Sequence, residues 1–426
     1  MKIFKNKDQL FTFLTLLLLV VFISSLSFAG GEKEEKAKES ASSKVVLTFA
    51  NDKGWTDRND KLSPYSEKAI GVSFKSESTP DPANYQAVMK QALVSKNPPD
   101  MLTWWSKYRL KDIVDLGLLE DVTDIWEKHA SEYNKDILNE FTFDGKVYAI
   151  LYHANYWTIM YNKNVFKKFN LQEPQTWEEF MKICETLKKG GITPIATTSE
   201  GRWYSMAWFE EVLIRTDPDV YEGVCEQKIP YSDPRVIEAM KYWKDMIEKG
   251  YFPSDITPGL AEVWKRFAAG KIGMFLIGDW AMANIEANGM VPGKDFDSFV
   301  CPNINPNAGK VVVFEASPWC IPKNSPNKDA AKKLADYWLT PEAQTIWAKI
   351  WGFATPNKKA TVPDHPILKK FERLGLLSEY RYVSRYYEGT PVPICEYTLD
   401  KLIEFMLHPD QMERILMDID KYRKSL

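Results

Sequence analysis

The clearest hydrophobic pattern lies in residues 144–196. Residues 146–151 form an apolar run of strand length, and residues 155–161 form a second run that is rich in aromatic side chains. Thr176 followed by Glu179 has the spacing of a capping box, in which a hydroxyl and a carboxylate bond the free N–H groups of a helix start. A pair of glycines that begins at Gly190 ends this helix, and another apolar run follows. The pattern predicts two strands, a capped helix and a third strand.

Strand-like and helix-like patterns also alternate over the rest of the chain. Residues 45–50 and 271–277 are β-rich runs of strand length. The sequence shows neither a repeat nor a heptad pattern, so the predicted fold class is α/β with more helix than sheet. The predicted helices include residues 85–96, 205–215, 233–249, 260–269, 329–339 and 341–351.

Residues 1–29 have the layout of a secretory signal peptide. Three lysines within the first seven residues precede an apolar run over residues 10–28, and Ala29 supplies a small residue at the expected cleavage position. An uncleaved membrane anchor is the alternative, because the apolar run is long for a signal. Residues 30–44 are charged, small and free of aromatic side chains, which is typical of a flexible tether.

The five cysteines are widely spaced and odd in number. They contain no Cys-x-x-Cys pair, so neither a zinc ribbon nor a thioredoxin motif is indicated. Buried free thiols are expected, with two disulfides and one remaining thiol as the alternative. A bacterial lipoprotein carries a cysteine directly after its signal, whereas the first cysteine here is Cys184, so a periplasmic location is expected.

Size, charge and motifs narrow the classes of function. A chain of 426 residues is too long for one typical core and predicts two lobes. The net charge of −3 leaves no basic surface for a nucleic acid. The sequence lacks Gly-x-Ser-x-Gly, His-Glu-x-x-His, Walker A and Gly-x-Gly-x-x-Gly motifs, and its four histidines lack metal-site spacing. We therefore expect no cofactor and no metal.

Several short motifs occur in an order that one protein family shares. They are Asn51-Asp52-Lys53-Gly54, Pro99-Asp100 with Trp104-Trp105, Tyr161-Asn162-Lys163, Pro174-Gln175-Thr176-Trp177, Phe267-Ala268-Ala269-Gly270-Lys271 with Gly278-Asp279-Trp280, Asn327-Lys328, Thr340-Pro341-Glu342-Ala343-Gln344 and Gly352-Phe353-Ala354-Thr355-Pro356. Each motif is weak alone, but together they cover nearly the whole chain after residue 44. The chain thus resembles the bacterial extracellular solute-binding proteins (family 1) of ABC sugar importers and is similar to maltose- and maltodextrin-binding proteins.

The resemblance implies a two-lobed, type II-like periplasmic-binding-protein fold. Each lobe would hold a central sheet flanked by helices, with the ligand cleft between the lobes. The expected first lobe comprises residues 44–153 and 295–340, and the second comprises residues 154–294 and 341–426. Residues 153–158 would form the first hinge, and closure about the hinges would trap the ligand. The expected partners of this monomer are a carbohydrate and the membrane permease of the importer.

A sugar has apolar C–H faces and a rim of hydroxyls, so its site needs aromatic platforms and polar side chains. Six of the fifteen tryptophans lie on predicted helices and are expected in the core: Trp126, Trp177, Trp243, Trp264, Trp338 and Trp347. Trp280 matches the stacking tryptophan of the family. The other aromatic candidates lie near the ends of predicted strands or in loops, and they are Trp55, Trp104, Trp105, Trp203 and Trp319. The polar candidates are Asp52, Lys53, Asn155, Glu200, Arg202, Asp279, Glu315 and Glu388.

The resemblance implies a subunit that captures a mono- or oligosaccharide, delivers it to the permease and changes no covalent bond. One alternative is a secreted glycoside hydrolase, which would need two carboxylates placed across one glycosidic bond. Another is a binding protein of the same fold for a polyamine or a metal. Asn155 and Lys107 stand where maltodextrin-binding relatives carry acids, which argues against maltodextrin as the ligand.

Overall fold

One sheet of nine strands organises the chain in a computed structural model that describes residues 45–52, 56–79 and 81–426. The predicted signal peptide and tether, and the candidates Lys53 and Trp55, lie outside the described residues. The strand order is β2-β1-β3-β10-β6-β8-β7, with β11 paired to β10 and β9 paired to β6, while β4 and β5 form a separate hairpin. The strands are β1 (Val45–Asn51), β2 (Val72–Ser78), β3 (Met101–Thr103), β4 (Thr142–Phe143), β5 (Lys146–Val147), β6 (Ile150–Asn162), β7 (Thr193–Ile195), β8 (Ile272–Gly278), β9 (Phe296–Phe299), β10 (Val311–Cys320) and β11 (Arg381–Ser384).

Helices connect most of the strands. They are α1 (Thr56–Asp60), α2 (Ser63–Ile70), α3 (Pro82–Leu93), α4 (Lys107–Val114), α5 (Thr123–His129), α6 (Lys135–Asn139), α7 (Lys163–Lys168), α8 (Trp177–Lys189), α9 (Ala207–Thr216), α10 (Pro218–Cys225), α11 (Pro234–Glu248), α12 (Leu260–Ala268), α13 (Met282–Ala287), α14 (Lys328–Trp338), α15 (Pro341–Trp351), α16 (Pro366–Arg373), α17 (Tyr386–Gly389), α18 (Val392–Leu407) and α19 (Met412–Arg423). The mixture of helices and strands confirms the predicted α/β class.

The strand β6 joins the two halves of the sheet. Ile150 to Tyr156 pair antiparallel with β10, whereas Trp157 to Tyr161 pair antiparallel with β8. The sequence pattern predicted separate strands over residues 146–151 and 155–161, and this prediction was wrong, because residues 150–162 form one strand. All 13 residues of β6 are buried, so the strand shows no polar alternation that would mark its limits.

The predicted hinge over residues 153–158 includes the position where β6 changes its partner from β10 to β8. The division into two lobes at the stated boundaries stays a prediction. Helix α15 was expected in the second lobe, yet it lines an apolar groove together with α2 and α14. Its Trp347 also lies 6.4 Å from Tyr152, measured between ring centroids. These contacts pack α15 against elements that the prediction assigns to the first lobe.

Local capping explains where α8 begins. The backbone N–H of Glu179 donates to Thr176 Oγ1 over 3.2 Å, as the capping box predicts. The Glu179 carboxylate reaches back one residue further than expected and accepts from the N–H of Gln175 over 2.7 Å. The first bond satisfies a donor that the first helical turn leaves free, and the second fixes the residue that precedes the cap.

The tryptophans on the predicted helices lie in the core, as expected from their spacing. Their exposed fractions run from 1% for Trp126, Trp243 and Trp347 to 6% for Trp177 and Trp264. The five cysteines are all free and buried, which confirms the expectation of inert thiols. Burial raises the pKa of Cys225 and of Cys395 to about 12, so both thiols stay protonated near neutral pH.

Candidate functional site

The candidate residues follow the carboxyl ends of strands in both halves of the sheet. In the first half, where β1 and β3 run parallel, Asp52 follows β1 and Trp104 follows β3. In the second half, where β7 and β8 run parallel, the loop with Trp203 follows β7 and Asp279 follows β8. Ligands of open α/β folds bind at this edge, because side chains from several loops converge there.

A buried amide and a buried carboxyl form the centre of the site. Asn155 Nδ2, on β6, donates to Asp279 Oδ1 over 2.6 Å, and the N–H of Tyr156 donates to the same oxygen over 3.3 Å. Asn155 and Asp279 are both 0% exposed. Asp279 Oδ2 and Asn155 Oδ1 have no hydrogen-bond partner among the described residues, so two buried acceptors remain at this point. Such acceptors are costly to bury unless something donates to them.

The environment of Asp279 favours its neutral form. Burial raises the pKa of this carboxyl from its ordinary value of 3.8 to about 7. The hydrogen bonds from Asn155 and Tyr156 lower the pKa, and the nearby charge of Glu315 raises it. Burial is the largest of these effects, so Asp279 titrates near neutral pH.

A buried arginine lies beside this pair and binds two acids. Arg385 forms a fork with Glu388, with distances of 2.9 Å from Nε to Oε2 and 2.5 Å from Nη2 to Oε1. Its Nη1 also lies 3.2 Å from Glu315 Oε2. Glu315 is the register partner of Asn155 across β10 and β6, which brings the two groups together. Burial alone would lower the pKa of Arg385, but the two carboxylates raise it overall.

Three indoles lie next to these charges. The guanidinium carbon of Arg385 lies 5.5 Å from the ring centroid of Trp157. Trp203 packs at 6.2 Å from Trp157 and at 6.2 Å from Trp280, measured between ring centroids. Trp157 is 1% exposed, whereas Trp203 and Trp280 are only partly buried and keep some surface for a ligand. The site can therefore take a ligand that has an apolar face and hydrogen-bond donors.

The candidates of the first half form a second group. Thr103 Oγ1 donates to Asp52 Oδ1 over 2.7 Å. Trp104 and Trp105 pack edge to face at 5.4 Å, and both are buried, at 3% and 8% exposure. Trp104 Nε1 donates to the carbonyl of Arg109 over 2.8 Å, which fixes the start of α4. Both were candidates from the sequence, with one indole expected inward and the other in the cleft, and Trp105 keeps slightly more surface.

Three other candidates have structural partners. Glu200 Oε2 accepts from the N–H of Leu260 over 2.6 Å and so caps α12. Arg202 binds Glu396 and Asp400, which lie one turn apart on α18. Trp319 was expected at the cleft but is 1% exposed and lies in the core, because it packs against Trp338 of α14, with 5.9 Å between the ring centroids.

The structure adds site residues that the sequence analysis missed. Arg385 stands three residues before the candidate Glu388, a spacing that fits an ion pair within one helical turn. Tyr387 is partly buried and lies under the guanidinium of Arg109, with 3.5 Å between the guanidinium carbon and the ring centroid. The sequence pattern indicated Trp157 only as a member of an aromatic-rich strand. No local pattern marks Arg109, since its partners are distant in sequence.

Two further properties concern the described residues as a whole. Every helix in that part of the chain is too short or too polar to span a lipid bilayer. Among the same residues, no group of three or more His, Cys, Asp or Glu side chains is arranged to hold a metal ion.

Comparisons with known proteins place this site in a family context. An ABC transporter extracellular-binding protein of Pyrococcus horikoshii is 28% identical over 73% of this chain and 70% of its own length. The multiple sugar-binding protein of Streptococcus mutans is 24% identical over 85% of this chain and 87% of its own length.

Among solved structures, the bacterial solute receptor AcbH has an exclusive substrate preference for β-D-galactopyranose. It matches with a TM-score of 0.77 at 21% identity and covers 90% of this chain and 99% of its own, which shows the shared fold. The family described as bacterial extracellular solute-binding protein matches residues 62–370. The predicted family and the predicted fold of its members are thereby confirmed. This chain belongs to the bacterial extracellular solute-binding protein family.

Proposed function

We propose that this chain is the carbohydrate-binding subunit of an ABC importer. It captures a sugar outside the inner membrane and delivers it, chemically unchanged, to the permease. Export by the predicted signal peptide would place it in the periplasm. Its similarity to a multiple sugar-binding protein and to a β-D-galactopyranose receptor supports a carbohydrate as the ligand.

The observation that carries the proposal is the meeting of partly exposed indoles with buried acceptors. Trp280 directly follows Asp279, so the indole and the free Oδ2 atom come from adjacent residues of one loop. An indole packs against the C–H face of a sugar ring, and a carboxyl or amide oxygen accepts from its hydroxyls. A polyhydroxylated ring satisfies both requirements at once.

Closure of the site would depend on ligand contacts from both halves of the sheet. Asp279 and Trp280 follow β8, whereas Trp104 and Trp105 follow β3 in the other half of the sheet. A sugar that contacts both groups favours the closed arrangement by the difference between its affinities for the closed and open forms. Bending of β6, which serves both halves, would allow this motion.

Titration of intrinsic tryptophan fluorescence against pentoses, hexoses and oligosaccharides tests the proposal. A saturable change is expected for at least one sugar, because Trp203 and Trp280 border the site. The same oligosaccharides should remain intact after incubation, as chromatography would show. A panel without any response would contradict carbohydrate binding, and cleavage would favour the hydrolase instead.

Replacing Trp280 by alanine is expected to weaken sugar binding about 30-fold, because an indole that packs against a ligand is a typical binding hot spot. The variant should keep its thermal midpoint, since Trp280 is only partly buried. Calorimetric titration measures the affinity. As a matched control, Tyr242→Ala removes an aromatic ring that is 39% exposed on α11, and its affinity should equal that of the wild type. An unfolded Trp280→Ala variant would assign the indole to the core.

A further inference from the structure

Glu396, near the start of α18, contacts one arginine from each half of the sheet. Its Oε1 accepts from Arg109 Nη2 over 2.7 Å, and its Oε2 accepts from Arg202 Nη1 over 3.2 Å. Arg109 belongs to α4, which follows β3, and Arg202 belongs to the loop that follows β7. One carboxylate therefore connects the two strand ends between which the candidate site lies.

The two arginines are held firmly by other contacts. Arg109 donates from Nε to the carbonyl of Tyr387 over 3.1 Å, and its guanidinium stacks on the same tyrosine. Arg202 binds Asp400 through Nε and Nη2, at 2.6 Å and 3.1 Å, and donates from Nη2 to the carbonyl of Glu396 over 2.6 Å. Paired, fork-like contacts of this kind fix the geometry of an arginine. The bridge formed by Arg109, Glu396 and Arg202 is therefore fixed by the surrounding structure.

Exposure changes steadily along this bridge. The side chain of Arg109 is 6% exposed, that of Glu396 is 38% exposed and that of Asp400 is 64% exposed. The bridge therefore runs from the interior to the surface. It lies close to the candidate site, because Trp203 follows Arg202 directly and packs on Trp280, with 6.2 Å between the ring centroids.

We infer that Arg109, Glu396 and Arg202 form a clasp across the entrance of the site, and that this clasp restricts the ligand to a mono- or disaccharide. The inference rests on the proposed function. In this arrangement a short sugar would stay behind the closed clasp, whereas a longer chain would have to pass the entrance and separate Arg109 from Glu396. Separation leaves the nearly buried Arg109 without its carboxylate, which penalises long ligands.

The test compares the wild type with Glu396→Gln, which removes the charge that both arginines bind. The control Glu404→Gln lies on the same helix and also loses a doubly paired carboxylate, since Glu404 binds Lys401 and Arg414. Calorimetry measures affinity for glucose to maltohexaose, xylose to xylohexaose, and galactose, raffinose and stachyose. X-ray scattering of the ligand-free proteins measures their radius of gyration.

The wild type and Glu404→Gln should bind the best mono- or disaccharide at least about tenfold more tightly than the tetrasaccharide of its series. Glu396→Gln should reduce this preference to about threefold or less and should increase the radius of gyration. Equal wild-type affinity for short and long sugars, or an unchanged preference in Glu396→Gln, would overturn this inference and leave the proposed function intact. Absence of binding to every sugar would overturn the proposed function and the length limit, while the scattering result would still judge the clasp.

Discussion

Replacing Arg385 by methionine is expected to lower the free energy of unfolding by about 3–5 kcal/mol at pH 7. The substitution leaves Glu315 and Glu388 in place without their common guanidinium, and their side chains are only 11% and 3% exposed. Buried carboxylates that lose a counter-charge have to become protonated or take up water, and both cost free energy. Urea denaturation followed by circular dichroism measures the loss.

Two further variants show whether charge is the cause. Arg414→Met removes an arginine of α19 that also binds two acids, but its side chain is 45% exposed, so the change should stay below about 1 kcal/mol. Combining Arg385→Met with Glu315→Gln and Glu388→Gln should restore most of the lost stability, because no unpaired charge remains. A single variant as stable as the wild type would show that these three groups do not form a buried ion cluster.

Asp279→Asn is expected to make the protein more stable than the wild type at pH 8.5, by as much as ~4 kcal/mol. Folding raises the pKa of Asp279 from 3.8 to about 7, because burial disfavours the carboxylate. The neutral carboxyl therefore contributes stability that is complete below pH 3.8 and is lost as the pH rises through about 7. An asparagine has no proton to lose, and it can still accept from Asn155.

Denaturation of both proteins between pH 4 and pH 8.5 measures this effect. The difference in unfolding free energy should be small at the acid end and should grow in favour of Asp279→Asn as the pH increases. Asp255→Asn serves as a control of opposite sign, because the hydrogen bond from Thr257 lowers the pKa of that exposed carboxyl. A difference that does not depend on pH would mean that Asp279 is ionised throughout the range.

Local signals predicted those parts of the molecule whose partners are close in sequence. The start of α8 depends on Thr176 and Glu179, which lie within one helical turn, so the sequence alone predicted the capping box. Helical periodicity likewise assigned Trp126 and Trp347 to the core. These features need little knowledge of the rest of the chain.

The remaining features depend on tertiary neighbours. Trp280 and Trp319 both stand near strand ends, yet Trp280 is partly exposed and Trp319 is buried, since only the packed helices decide which indole stays accessible. The Arg109–Glu396 contact joins two helices that are far apart along the chain. A single sequence carries no signal for such a pair. For Arg385 the spacing to Glu388 is a local signal, but its contact with Glu315 on β10 is equally invisible in the sequence.

The pairing of β6 has a consequence for how the chain folds. One end of this strand completes the edge of β10 and the other completes the edge of β8, so each half of the sheet depends on a segment that the other half also holds. A cut within β6 would leave both halves with an unpaired edge, and neither should persist as an independent folding unit. The two halves should therefore melt together, in one cooperative transition, even under the closing motion proposed for ligand capture.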